Sequence, residues 1–272
     1  QPFSQWYRTF PHDNNRIFPS TNGKEAMIDL DSHIRAKELR EKIKGKKSLY
    51  RLYCEFYKKY ELSLKKCPKD GISVEIGSGA GFIKDIVPEV ITTDILLYET
   101  IELAMDATKL PFEGNSIKSL FLMNTLHHIP DTVSFFREVE RCLKPGGRVF
   151  IIDQYHGWIS KLILKYLHHE DYHPQAKEWA FETSGPLSGA NGALCWIIFY
   201  RDRALFEELY PSLKIDKLTP HTPFRYWLSG GLKKWNLLSG PLFRVTSKID
   251  LWLSKKIPQL NSFIDVELQK SE

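Results

Sequence analysis

The 272-residue sequence predicts an α/β fold on a mostly parallel sheet whose last strand runs antiparallel. Three observations carry that expectation. Ile72-Ser73-Val74 leads into Glu75-Ile76-Gly77-Ser78-Gly79-Ala80-Gly81 and then Phe82 to Val87, which reads as strand, tight turn and helix. Further short apolar runs end in polar residues: Val90 to Asp94, Ser119 to Asn124 and Arg148 to Asp153. Leu213 to Thr219 and Phe263 to Gln269 then read as two final strands, an antiparallel pair at a sheet edge.

Taken along the chain, residues 1–30 are polar, contain Pro2, Pro11 and Pro19, and read as an extended arm. Residues 31–67 predict a helical cap of two helices broken at Gly45. In the second, Tyr50, Tyr53, Phe56, Tyr57 and Tyr60 recur at helical spacing, as expected of a face packed on the sheet. Residues 68–222 form the core. Within it, Trp158 to His169 reads as a helix, and a lid of irregular chain is expected around 165–195. Trp196 to Tyr200 fits either a short buried strand or the start of a core helix, and Arg203 to Tyr210 reads as a helix stopped by Pro211. Residues 223–260 form a basic amphipathic insertion, and 261–272 return as the last strand.

The turn at Gly77–Gly81 separates competing nucleotide folds. Glycine adopts positive φ without a Cβ clash, so the backbone can approach a ligand closely, and a helix start would aim free N–H groups at it. A dinucleotide fingerprint needs G-x-G-x-x-G. Here the glycines are Gly77, Gly79 and Gly81, with Phe82 at the third-glycine position. No G-x-x-x-x-G-K-[ST] follows, so a P-loop is unsupported.

Downstream, a carboxylate at Asp94 closes the second strand, Asp106-Ala107 precedes Leu110-Pro111-Phe112, Asn124 runs into Thr125-Leu126-His127-His128-Ile129-Pro130-Asp131, and Leu143-Lys144-Pro145-Gly146-Gly147 turns into the last parallel strand. Over roughly residues 70–155 this series resembles the class I S-adenosylmethionine (SAM) methyltransferases, particularly the bacterial ubiquinone/menaquinone-type group. The resemblance implies a Rossmann-like seven-stranded sheet with a helical N-terminal addition and a helical insertion before the last strand. It also implies SAM as cofactor and S-adenosyl-L-homocysteine (SAH) as product. Its cofactor residues would be Glu75, Gly77, Ser78, Gly79, Gly81, Asp94, Ile95, Asp106, Ala107 and Asn124. In that scheme Asp94 accepts from both ribose hydroxyls, Asp106 and the Ala107 N–H meet the adenine, and Glu75 orients the turn or meets the ammonium through water.

Methyl transfer is an in-line displacement by an oxygen, nitrogen or carbon nucleophile, and alignment with exclusion of water supplies much of the acceleration. His127 and His128 follow the strand that places substrate next to the methyl group, so they are the candidate general bases. The alternative is that they only line or cap the pocket. His168, His169, Asp171 and His173 cluster in sequence but read as a polar lid, and no metal is expected.

Composition bounds the partners. Net charge is +5, unevenly spread. Residues 31–66 hold twelve Lys/Arg against five Asp/Glu, residues 220–260 seven against one, and residues 67–219 fifteen against twenty-one. Basic zones flanking an acidic body attract phosphates, anionic headgroups or acidic glycans. The longest apolar run, Ala193 to Tyr200, is too short to span a bilayer, and no charged-then-apolar leader is visible. The four cysteines show no metal-like spacing. A cytoplasmic protein is expected, peripheral on the inner face of the membrane if the insertion binds it. Leu242, Val245, Ile249, Trp252, Leu253 and Ile257 share one helical face opposed by Arg244, Lys248, Lys255 and Lys256. That face either packs on the core or meets an anionic membrane surface. Insertions with a Ser-Gly-Gly loop and such a helix resemble those of bacterial methyltransferases acting in cell-surface saccharide or lipid assembly. A small-molecule, saccharide or lipid-linked acceptor is therefore expected. A nucleic-acid (RNA) methyltransferase is disfavoured because the Asn/Asp-Pro-Pro-aromatic motif is absent after Met123. The third reading, a non-catalytic SAM-binding scaffold, sits poorly with a full cofactor set.

Overall fold

Seven strands lie in the order β3-β2-β1-β4-β5-β7-β6 in the computed structural model, which describes residues 33–166, 170–183, 185, 189–238 and 240–271. The chain enters through α1 (His33–Gly45) and α2 (Lys47–Leu64) and passes through β1 (Ile72–Ile76), β2 (Ile91–Asp94), β3 (Leu103–Ala104) and β4 (Ile117–Met123). It continues through α3 (Thr132–Cys142), β5 (Leu143–Gln154), α4 (Trp158–Tyr166), α5 (Leu194–Trp196), α6 (Arg203–Leu209) and β6 (Leu213–His221). It closes with α7 (Arg225–Leu228), α8 (Gly240–Lys256) and β7 (Phe263–Lys270). Strands β1 to β5 pair in parallel, and β7 inserts antiparallel between β5 and β6. The expected mostly parallel sheet with an antiparallel last strand is what forms, and the basic insertion occupies the β6–β7 connection.

The continuous apolar run of β4 follows from burial on both faces. Leu120 and Leu122 join one core with Phe135, Phe136 and Val139 of α3, while Phe121 and Met123 face the other. On that second side the aromatic stripe of α2 lies on the sheet. Tyr60 stacks on Phe121 at 4.6 Å between ring centroids, and its hydroxyl donates to the Leu122 carbonyl at 2.6 Å. This satisfies the polar end of a fully buried ring. Opposite, α3 starts on an Asp131 cap whose carboxylate accepts from Ser134 N at 3.0 Å.

One expectation changes, and one left open resolves to its helical alternative. Phe82 to Val87 does not form a helix. It makes a single 3₁₀ turn, Ile83–Asp85, because Pro88 disfavours helical backbone at Val87 and only six residues separate it from Gly81. The glycine turn therefore offers loop amides rather than a helix start. The Ala193 to Tyr200 run is helical, α5 continuing into a π-helical turn, Ile197–Arg201, with Leu194, Cys195 and Ile197–Phe199 buried.

Candidate active site

The carboxyl ends of β1, β2 and β4 open onto a cavity of about 450 Å³. Ligands of open α/β sheets bind at this edge. Eight of the residues singled out in the sequence line it: Gly77, Gly79, Asp94, Ile95, Asp106, Ala107, Asn124 and His128. Ser78 and Gly81 face a neighbouring cleft of about 290 Å³ instead. Glu75 and His127 are buried behind the wall.

The turn is built by close approach. Gly77 has φ +67°, and a Cβ there would stand 2.3 Å from Thr125 Cγ2. At Gly81 a Cβ would meet the Tyr57 hydroxyl at 2.5 Å, the same hydroxyl that accepts from Phe82 N at 3.2 Å. Gly79 N donates to Asp94 Oδ2 at 2.9 Å, tying the β1 turn to the end of β2. Burial raises the Asp94 pKa against the pull of these amides.

Of the four buried side-chain oxygens without a partner among the described residues, two, Glu75 Oε2 and Asn124 Oδ1, belong to the ends of β1 and β4 at this edge. Burial, and then the charge of Asp94, push the Glu75 carboxyl up to about 8. Asn124 holds left-handed backbone, φ +52°, with its N–H donating to Ile152 O at 2.8 Å. An orphaned buried acceptor costs about 1–3 kcal/mol, so both positions suit a ligand that brings donors. Asp106 Oδ1 accepts from the Thr108 N–H and hydroxyl at 2.8 and 2.7 Å, a local cap that also fixes the side chain in the cavity wall.

The two histidines part company. His127 is 1% exposed. Its Nδ1 lies 2.5 Å from Asp153 Oδ1 and its Nε2 3.3 Å from Glu170 Oε2. Burial alone would lower its pKa, but Asp153 and then Glu170 outweigh that and lift it to about 10. An imidazolium with both nitrogens donating has no lone pair to accept a proton or a cation. His128 lines the cavity, its Nδ1 is 3.1 Å from Gly189 O, and its Nε2 is 3.6 Å from Glu170 Oε1. Burial and the charge of His127 lower its pKa to about 4, so its ring is neutral at pH 7. His127, His128 and Glu170 bring potential ligand atoms within 4.8 Å of one another. Of the lid cluster, His168 and His169 lie outside the described residues, while Asp171 reaches the cavity wall.

Glu170 is the site residue the sequence gave no means to single out. It lies 42 positions beyond His128 in irregular chain, and only the fold brings the two together. The additions also contribute to the wall: Ala36 and Leu39 from α1, and Leu232 from the insertion. Lys46 fastens that insertion, its ammonium donating to the carbonyls of Ser229, Gly231, Lys233 and Trp235.

Comparison with known proteins agrees with this geometry. Residues 74–151 match a family model described as a methyltransferase domain. A sterol 4-C-methyltransferase of Caenorhabditis elegans is 31% identical over 129 residues, 46% of this chain and 37% of that protein. A phosphoethanolamine N-methyltransferase of the same organism is 44% identical over 46 residues, 17% of this chain and 10% of that one. The chain thus spans well under half the length of these curated relatives. Among solved structures, a geranyl diphosphate C-methyltransferase from Streptomyces coelicolor superimposes with a TM-score of 0.51 at 13% identity, covering 82% of this chain and 77% of that one. A chain from the complex of a Haloferax volcanii methyltransferase with its Trm112 activator gives 0.50 at 12% identity, covering 90% and 98%. At such identities the likeness is one of fold, and that fold is the seven-stranded Rossmann-like sheet of methyltransferases.

Proposed function

We propose that this chain is a SAM-dependent methyltransferase acting on an O, N or C nucleophile of a small-molecule or lipid-linked acceptor. The observation that carries this reading is the cavity wall itself, where the Gly77–Gly79 turn, Asp94, Asp106 and Asn124 converge above two unpartnered buried oxygens. These residues fit the cofactor. Glu75 and Asn124 offer acceptors to its ammonium, Asp94 to its ribose diol, and Asp106 with the Ala107 N–H to its adenine. Bound there, SAM supplies an electrophilic methyl group on a sulfonium.

The chain's own part is to bind, align and handle a proton. We assign proton acceptance to the His128–Glu170 pair in the cavity wall. The Nδ1–H of His128 donates to Gly189 O, which leaves Nε2 as the acceptor. His127, held charged by Asp153, is a positioning residue that aims Glu170 at the cavity through its Nε2 contact. The domain plan of arm, cap, core with lid, insertion and last strand belongs to this proposal, as does the ubiquinone/menaquinone-type subgroup. The acceptor class draws support from the sterol methyltransferase relative, and a saccharide-linked lipid fits the same apolar and basic surroundings. Such an acceptor would be met from the cytoplasmic side of a membrane. No helix among the described residues is long and apolar enough to cross one.

Calorimetry with SAH tests the cofactor reading, and label transfer from methyl-tritiated SAM into lipid and aqueous extracts tests the acceptor. Wild type should bind SAH. Asp94→Asn, which turns one acceptor oxygen into a donor facing the diol, should weaken binding about tenfold or more. Glu170→Gln should bind SAH within about threefold of wild type while label transfer falls about 100-fold. Folded protein that gives no heat with SAH overturns the reading, and unaffected transfer in Glu170→Gln removes the base assignment alone.

A further inference from the structure

Helix α8 is turned inside out relative to an ordinary surface helix. Its buried residues are Phe243 and Asp250. Asp250 Oδ2 accepts from Arg225 Nε at 3.0 Å and its Oδ1 from Phe224 N at 2.9 Å, while Arg225 also reaches Glu55 of α2 at 2.7 Å. A buried, fully partnered Asp–Arg pair fixes which side of the helix meets the body. On the side turned away stand Leu242, Val245, Ile249 and Trp252, 49, 55, 50 and 60% exposed. Their three- and four-residue spacing makes one continuous stripe. Arg244, Lys248 and Lys255 line one edge of it, and Lys256 stands at its C-terminal end. The only acid of the helix is the buried Asp250.

A second exposed stripe lies close by. Trp158, Leu162 and Tyr166, each a turn apart on α4, are 56, 61 and 66% exposed, with Lys161 and Lys165 beside them and no acid in the helix. Both α4 and α8 pack against the Pro258–Leu260 turn, which brings the two helices near one another. Burying large apolar residues is favourable by roughly 1.5–3 kcal/mol each, so two outward stripes rimmed by one sign of charge imply something that covers them.

We propose that the outward stripe of α8, together with the outer face of α4, docks the protein on an anionic lipid bilayer. Tryptophan and tyrosine suit the headgroup boundary, aliphatic residues the acyl region, and the basic edge of Arg244, Lys248 and Lys255 the negative surface potential. A second copy of this chain would bring like-charged rims together. This inference goes beyond the assigned reaction and does not depend on it.

The test is cosedimentation of the full chain with phosphatidylcholine vesicles with and without phosphatidylglycerol, at low and high salt. Binding should be about tenfold or more stronger with phosphatidylglycerol and should fade at high salt. Ile249→Glu/Trp252→Glu should abolish it, and Arg244→Gln/Lys248→Gln should weaken it by roughly tenfold or more while removing most of the salt dependence. Both variants should keep the wild-type far-UV spectrum and SAH titration, which separates failure here from failure of the cofactor site. The proposal is overturned by absence of binding at low salt, by binding that survives Ile249→Glu/Trp252→Glu, or by a dimer that this double variant converts to monomer.

Discussion

Replacing His127 by glutamine should flatten the alkaline limb of this protein's stability profile. An ordinary histidine titrates near 6.5, whereas His127 in the fold is lifted to about 10 by Asp153 and Glu170 against its burial. A group whose pKa is raised on folding contributes its full stability below the unfolded value and loses it as pH climbs through the folded value. The window is therefore pH 6.5 to 10. Between pH 6.5 and 9 the charged His127 should surrender about 3 kcal/mol, from 1.36 kcal/mol per pK unit. Urea titrations at pH 6.5, 8 and 9 would read the loss directly in wild type, His127→Gln and Asp153→Asn. Glu75, pushed up to about 8 by burial, sheds stability between its unfolded pKa and pH 8 in all three proteins, and the comparison cancels it. Parallel profiles for wild type and His127→Gln would refute a charged His127, and with it the ion pair by which His127 positions Glu170.

Two further outcomes follow from single contacts. Gly77→Ala combines left-handed backbone, about 1–2 kcal/mol for a Cβ-bearing residue, with a Cβ placed 2.3 Å from Thr125 Cγ2, about 1–3 kcal/mol of overpacking. It should lose roughly 2–5 kcal/mol in urea unfolding, and Thr125→Ala should return the steric share in a double-mutant cycle, whereas zero coupling would contradict the packing. Lys46→Met strips the cation from four carbonyls of the 229–235 loop. Tryptic cleavage at Lys233–Lys234 should quicken several-fold with a stability loss of about 2 kcal/mol, and an unchanged digestion rate would show that the loop is held by other contacts.

What the sequence made legible is what the chain encodes locally. Tyr50, Tyr53, Phe56, Tyr57 and Tyr60 announce a buried helix face because period 3.6 needs no knowledge of the partner surface. Gly77, Gly79, Asp94, Asp106 and Asn124 stand out because each sits at a strand end, where topology alone sends it to the ligand edge. His127 and His128 could not be told apart, since adjacent residues in a short turn point to opposite environments that only Asp153 and Glu170 define. The helix expected after Gly81 failed on one residue, Pro88, whose constraint acts backwards on Val87. For α8 four of the six expected stripe residues, Leu242, Val245, Ile249 and Trp252, form the stripe, while Ile257 falls beyond the helix and Leu253 is half-buried; which face would be buried depended on Asp250 meeting Arg225, a pairing 25 positions apart that periodicity does not reveal.

The family match ends at residue 151, and the cavity does not. Its cofactor half is assembled from the ends of β1, β2 and β4, all inside the matched stretch. Beyond them the lining reaches outside that stretch, to Ala36 and Leu39 before it and to Glu170, Gly189 and Leu232 after it, three separate pieces held in register by the lid's contact with His128 and by Lys46 gripping the insertion. Pieces this far apart in sequence can change independently of the strand ends that bind a common cofactor. Under the proposed function, substitution of Leu39 or Leu232 should alter which acceptor is methylated while SAH affinity stays intact.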